Sequence, residues 1–380
     1  MSLRTEPALP PGVLTAIRAP FEALGGTWVD APVLQPLSTL LDLAGEAMRA
    51  RLFVVQGEGG EPAALRPDFT IPVAQTHIAS GAATGRYAYA GKVFRTAPPQ
   101  SDRPVEFLQI GTERFGAPDD AAQEDAETVA VAWTAASAGG RKDLSILMGD
   151  VGLFAGFVRA LGVPETVAAR LVRAFTSGRP LTAELERAQG ALAAPARGGR
   201  LAALLSDLPE AEGTEVLEEL WRLAGIQPVG GRSAAEIVHR LAERSEASRA
   251  APLSAAEAEL IGRYLGIAGP PHQTLKAVEA LAYESKVEFD LQLQPWVRRL
   301  KALDAAGVPE SALTLSTGFV RPFGYYDGML FEVRSAALDA DKPVAAGGRY
   351  DALPVRLGGQ AGAVGCIVRP ARAWNGAGPQ

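Results

Sequence analysis

The sequence predicts an α+β fold, an antiparallel sheet flanked by helices and interrupted by a helical insertion. Three observations predict it. Strand-like runs of alternating apolar residues cluster towards both ends of the 380-residue chain. Hairpins join these runs, where a regular βαβ array would need crossover helices. Between Val151 and Gly269, alanine, leucine, arginine and glutamate dominate, with almost no β-branched alternation. The expected division is therefore 1–150 and 271–380 as two parts of one core, with 151–270 inserted between them.

The elements follow in order. An apolar helical period runs from Pro11 to Leu24 and stops at Gly25-Gly26. A second helix-like stretch covers Leu37 to Ala50, and a hairpin covers Arg51 to Leu65, turning at GEGGEP. In LRPDFTIPVAQTHIAS, Thr70 is placed to cap a helix with Pro72 in its first turn. Tyr89 to Gly116 reads as a hairpin with a long proline-bearing tip. Asp119 to Ala138 reads as an acidic-capped helix, and DLSILMGD as the next strand. LTAELERAQGALAA, RLAALLSDL and AAEIVHRLAERSEA supply amphipathic helices of the insertion. Strand signals return in KVEFDLQLQ, SALTLSTGFVR, GYYDGMLFEVRSA, KPVAAGGRYDAL and GAVGCIVRPARAW. Arg321 ends one of these runs, Tyr325-Tyr326 opens the next, and Gly347 to Asp351 reads as a Gly-rich turn.

Composition narrows the function. The chain is 47% apolar and 21% charged with a formal charge of −6, so it lacks the basic stripe of a nucleic-acid binder. No stretch approaches the ~18 apolar residues of a membrane span, and the single cysteine fits a reducing cytoplasm. Cys366 lies in the apolar run AGAVGCIV and reads as a small buried hydrophobe. Only His77, His239 and His272 are available as imidazole ligands, and their spacing fits no metal motif. GEGGEP joins two strand-like runs and opens no helix, which argues for a turn over a phosphate cradle.

The chemistry concentrates elsewhere. With a period of two, Phe107, Gln109, Gly111, Glu113 and Phe115 share one strand face, and Gly111 leaves a gap between an amide and a carboxylate. Asp68, Thr70, Arg95, Arg321, Tyr326 and Tyr350 complete a set of polar groups at strand ends. Carboxylates and amides accept from an ammonium group, arginine holds a carboxylate bidentately, and tyrosine bonds a polar ring while excluding water. A free amino acid with a polar side chain suits that set. A solvated face is the plain alternative.

LRPDFT, GKVFRTAPPQ, EFLQIGTERFG, YYDGMLFEV and GGRYDALPVRLGG followed by AVG resemble, in order and spacing, the catalytic domains of histidyl-tRNA synthetases. The resemblance extends to Arg372 and implies a class II aminoacyl-tRNA synthetase-like antiparallel sheet with a helical insertion. It implies that Asp68 and Thr70 match the LRPEGT motif and Arg95 the motif-2 arginine. Gln109 and Glu113 match the Q-x-G-x-E strand. Tyr326 and Tyr350, with Tyr325 beside them, match tyrosines near the imidazole, and Arg321 matches the arginine of the RGLDYY-type motif. In that family these positions bind histidine. Pro32 stands where class II synthetases place an interface proline, which implies a homodimer through TWVDAPVLQP.

The departures point away from aminoacylation. In R-x-E-R-P-Q, the glutamate and arginine that hold ATP are here Ala97 and Pro98, ahead of Pro99 and Gln100. The arginine expected before Phe107 is lost within Val105-Glu106, and the aspartate of the RGLDYY-type motif is Gly324. Motif 3 keeps Gly365 and Arg372 but carries Arg369, Pro370 and Ala371. The chain ends eight residues after Arg372, so no anticodon-binding domain is expected. Histidine groups kept and ATP groups eroded resemble the ATP phosphoribosyltransferase regulatory subunits. That resemblance implies no chemistry of its own and no cofactor. It implies a short-form catalytic subunit as partner, L-histidine as feedback ligand, and a homodimer within a larger hetero-oligomer. A truncated or divergent synthetase, another amino-acid-activating enzyme, and a synthetase-like binding module for some other partner remain the alternatives.

Overall fold

A computed structural model describes residues 4–376 except 45, 57–61, 99–100, 178–180, 191–200, 202–203, 206–207, 226–232, 236, 240, 243–251 and 322–323. The turn expected at 57–61, Pro99 and Gln100 of the hairpin tip, and much of the stretch 191–251 fall outside the described residues.

The main sheet has nine strands. One half comes early in the chain: β1 (Thr27–Trp28), β5 (Gly85–Phe94), β6 (Glu106–Phe115) and β7 (Leu144–Asp150). The other comes late: β8 (Ala268–Gly269), β9 (Leu313–Ser316), β10 (Met329–Ser335), β11 (Ala345–Arg349) and β12 (Ala363–Val368). Their order is β1-β5-β6-β12-β11-β10-β7-β9-β8, so the β5–β6 hairpin pairs directly with the last strand of the chain. The sheet is antiparallel from β5 to β7, and β1 and β9 add parallel pairs towards its edges. A second sheet places β2 (Leu34–Pro36), β4 (Ala63–Leu65) and β3 (Val54–Val55) side by side.

Helix Ala121–Ser137 lies behind the sheet, capped by Asp120 as its acidic start suggested, with its side chain accepting from Ala122 and Gln123 N–H. One continuous core runs from Val13 to Ala373 and takes in Phe154, Phe157, Leu171 and Tyr264 from the middle segment. Leu205, Leu217, Ala234 and Val238 form a small separate cluster. Cys366 is buried, as its apolar run suggested. No helix among the described residues is long and apolar enough to cross a membrane.

Several local expectations are corrected. KVEFDLQLQ is not a strand: helix Asp290–Ala305 takes its second half. Leu293, Trp296, Leu300 and Leu303 are buried at helical spacing while Leu291, which alternation would bury, is 83% exposed. The longer 3.6-residue period won over a short local alternation. Leu37–Ala44 is helical, but the chain then tightens into a 3-10 turn, Glu46–Arg51. The Gly347–Asp351 stretch is strand up to Arg349, because β12 passes too close for side chains. A Cβ on Gly347 would meet the Gly365 carbonyl oxygen at 2.3 Å. Arg321 and Tyr325-Tyr326 lie in the connection between β9 and β10, not at strand ends.

Candidate functional site

The β5–β6 hairpin, the returning strands β10 to β12 and the segment before helix Thr70–Ser80 enclose a cavity of about 750 Å³. All nine residues singled out from sequence line it: Asp68, Thr70, Arg95, Gln109, Glu113, Arg321, Tyr325, Tyr326 and Tyr350.

Glu113 is the floor of the cavity and is 1% exposed. Its Oε1 accepts from the Thr70 hydroxyl at 2.9 Å and the Tyr89 hydroxyl at 2.9 Å, and its Oε2 accepts from the Tyr350 hydroxyl. Register explains the convergence. Tyr89 pairs with Gly111 across the hairpin, and Gly365 pairs with Glu113 across β6–β12. A Cβ on Gly111 would sit 2.5 Å from the Tyr89 hydroxyl oxygen, and one on Gly365 would sit 1.5 Å from Glu113 Oε2. The glycine gap seen in sequence therefore admits Tyr89, not a ligand. Tyr89 is steered by Phe69, stacked on it at 4.4 Å. Burial pushes the Glu113 carboxyl up to about 7, against the opposing pull of the three hydroxyl bonds.

Thr70 does not cap its helix. It is the first helical residue and spends its hydroxyl on Glu113. Asp68 takes over the helix end, accepting from the backbone N–H of Thr70 and Ile71, which leaves its Oδ1 with no hydrogen-bond partner. Burial raises the Asp68 carboxyl, opposed first by Arg95, whose Nη2 stands 3.9 Å from Asp68 Oδ2. Gln109 is 1% exposed, and its Oε1 also has no partner. Two buried acceptors thus open into one cavity, and a buried acceptor left without a donor is costly. That is the demand an ammonium group meets.

Tyr325 and Tyr326 pack at 4.8 Å, and both turn ring edges to Tyr350. Burial pushes the Tyr326 hydroxyl up to about 12, so it remains a neutral donor. Arg321 Nε stands 3.3 Å from Glu332 Oε1, and Arg334 holds the other Glu332 oxygen at 2.7 Å. Sequence reasoning missed Glu332. It also missed four cavity arginines as site residues: Arg51, Arg103, Arg369 and Arg372. Arg369 and Arg372 had appeared only as an insertion into, and a remnant of, a motif. Arg51 and Arg103 carry no local signal. Of the remaining polar candidates, His77 is structural: its ring stacks on Phe115 at 4.7 Å and its Nδ1 lies 3.1 Å from the Tyr87 hydroxyl.

Known proteins share this fold. A family model described as histidyl-tRNA synthetase matches residues 12–251 and 214–372. An ATP phosphoribosyltransferase regulatory subunit of Brucella anthropi is 35% identical over 349 residues, 91% of this chain and 92% of its own length. Its Brucella ovis counterpart is 35% identical over 348 residues, 91% of each. A solved structure titled an ATP phosphoribosyltransferase regulatory subunit/histidyl-tRNA synthetase from Bacillus halodurans shares the fold, with a TM-score of 0.62 at 21% identity. It covers 96% of this chain and 78% of that one. A histidine–tRNA ligase subunit from Alicyclobacillus acidocaldarius matches with a TM-score of 0.55 at 22% identity, covering 98% of each chain. The α+β fold is therefore that of the class II synthetases, and the chain belongs to the histidyl-tRNA synthetase-like family of ATP phosphoribosyltransferase regulatory subunits.

Proposed function

We propose that this chain works in the first step of histidine biosynthesis, as the non-catalytic partner that activates a short-form ATP phosphoribosyltransferase catalytic subunit. It binds L-histidine in the cavity and conveys feedback inhibition. One observation carries the histidine assignment: the unpartnered Asp68 Oδ1 and Gln109 Oε1 open into the cavity that Arg95, Arg321, Tyr326 and Tyr350 also line. The ligand ammonium goes to Asp68 and Gln109, its carboxylate to the arginines, and its ring to the tyrosine side. Glu113 orients Thr70, Tyr89 and Tyr350 from beneath and supplies negative charge to the same end. Feedback follows only if histidine binds two states of the assembly with different affinity.

A homodimer through the small sheet is part of this proposal. Val33, Leu34, Val54 and Val55 are exposed on or beside it, between 39% and 54%, and large apolar side chains left in water around one small sheet suit an interface. A monomer in light scattering at micromolar concentration would count against it. The expected compartment is the cytoplasm, in keeping with one buried thiol. Ala97 and Pro98, which line the cavity, supply no charge to a nucleotide, so the isolated chain should not exchange pyrophosphate into ATP when histidine is added. Histidine-dependent exchange above background would favour an amino-acid-activating enzyme instead.

A further inference from the structure

The ring side of the cavity is built from two separate segments. Tyr325 and Tyr326 come from the connection between β9 and β10, and Tyr350 follows the last residue of β11. Asp327 joins them. Its N–H donates to the Arg349 carbonyl oxygen at 3.2 Å, just before Tyr350. Its Oδ1 accepts from the Asp351 N–H at 2.9 Å and its Oδ2 from the Ala352 N–H at 2.7 Å, just after Tyr350. One residue thus brackets Tyr350 from both sides while following Tyr326 directly in the chain. The rings held in this way stand 6.2 Å apart between Tyr326 and Tyr350, with their planes at 74°.

The bracket is not a local cap. Asp351 precedes the short helix Ala352–Arg356 and is the residue placed to cap it, yet its own side chain makes no cap bond. Asp351 Oδ1 accepts instead from the Ala363 N–H at 2.8 Å and from Arg349 Nη1 at 3.1 Å. The oxygens that do meet these N–H groups come from Asp327, 24 residues away from Asp351. Two N–H groups side by side need two acceptor oxygens, which a carboxylate offers and an amide does not. Holding a carboxylate here is unfavourable: burial pushes it up to about 6 and Asp351 adds to the rise, while the two N–H bonds and Arg349 oppose it. We propose that Asp327 is a positioning residue for recognition of the ligand ring, acting through Tyr326 and Tyr350 without touching the ligand. It is not among the residues that line the cavity. The assignment deepens the histidine proposal and rests on it.

The test is calorimetric titration of L-histidine into the full-length parent, Asp327→Asn, Tyr326→Phe and the double variant. Asp327→Asn turns an N–H donor towards a backbone N–H and should weaken histidine binding about tenfold. In the Tyr326→Phe background the same change should weaken it less than about threefold, because the hydroxyl it places is already gone. Asp120→Ala removes the ordinary cap of helix Ala121–Ser137 behind the sheet and controls for lost stability alone. That control should leave the affinity within about twofold. If circular dichroism shows Asp327→Asn unfolded, Asp327→Ser, which keeps one acceptor oxygen in a smaller side chain, replaces it in the cycle. Unchanged affinity in the Asp327 variant, equal losses with and without the Tyr326 hydroxyl, or an equal loss in Asp120→Ala would overturn the positioning role. A parent that binds no histidine would overturn the pocket reading and this role with it, so the two failures are told apart by the parent alone.

Discussion

Two clusters of arginine lie on opposite faces of one sheet. Behind it, Arg299 and Arg349 converge on Asp125, which is fully buried, at 2.6 and 2.8 Å. Glu124 and Asp351 add further partners to Arg349 at 3.2 and 3.1 Å. Burial pulls the Arg349 guanidinium down, but Asp125, Asp351 and Glu124 outweigh it and leave it raised. In front, burial lowers Arg95 to about 10 and Arg369 to about 9, and neighbouring guanidiniums add to the fall. These groups stay charged at neutral pH, and the depression records how deeply they are buried. Strand β11 passes between the two worlds: Arg349 points back to Asp125 and the next residue, Tyr350, points forward to Glu113. The rear cluster carries its own counter-charges and holds the fold together. The front cluster borders an open cavity, which is how a ligand site differs from a structural one.

The largest expected effect breaks the rear cluster. Asp125→Ala leaves two buried guanidiniums without their shared carboxylate and should cost about 3–5 kcal/mol in chemical denaturation. A loss under about 1 kcal/mol would mean that the two faces do not differ as described. Next comes Gly365→Ala, whose Cβ would fall on Glu113 Oε2. It should cost about 1–3 kcal/mol as an overpacked site and abolish histidine binding. Glu113→Gln tests the floor itself. Three hydroxyls lose an ionic acceptor, so stability should fall by about 1–3 kcal/mol, where a solvated strand residue would change little.

The pH dependence is smaller and has a definite sign. Glu113 ordinarily titrates near 4.5, and burial raises it to about 7 in the folded chain. The folded state therefore binds the proton more tightly. The stability this adds is complete below 4.5 and is lost as pH rises through about 7. Asp68, also raised by burial, acts in the same direction. Unfolding free energy measured at pH 5 and 7.5 should fall more in the parent than in Glu113→Gln; equal falls would remove Glu113 as the cause. Smallest is Arg103→Ala, whose half-exposed pair with Asp341 should change stability by no more than about 0.5 kcal/mol.

Local signals carried much of this. Alternation marked the β5–β6 hairpin, Asp120 marked a helix start, and the shared face of Gln109 and Glu113 marked the cavity. What escaped depends on pairing between distant segments. That Gly365 lies over Glu113, and that Arg349 meets Asp125 across more than two hundred residues, is set by strand order rather than by spacing in the chain. Gly347-Gly348 looked like a turn because close approach of two strands and left-handed backbone both select glycine; Gly348 does have φ 158, whereas Gly347 is there for space alone. Arg51 and Arg103 were indistinguishable from surface arginines until the fold brought them to one space.

The most direct test of the account is a calorimetric titration of L-histidine into the purified chain and into Glu113→Gln. Beneath the ligand, Glu113 supplies the charge that favours an ammonium group, and it fixes Thr70, Tyr89 and Tyr350 in place. The parent should bind one histidine per chain. The variant, folded at the temperature of the measurement, should bind about tenfold to hundredfold more weakly, because the nearby charge is lost and the hydroxyls of Thr70, Tyr89 and Tyr350 lose their ionic acceptor. Equal affinity in parent and variant, with feedback by histidine intact in the complex with the catalytic subunit, would contradict the assignment of this cavity.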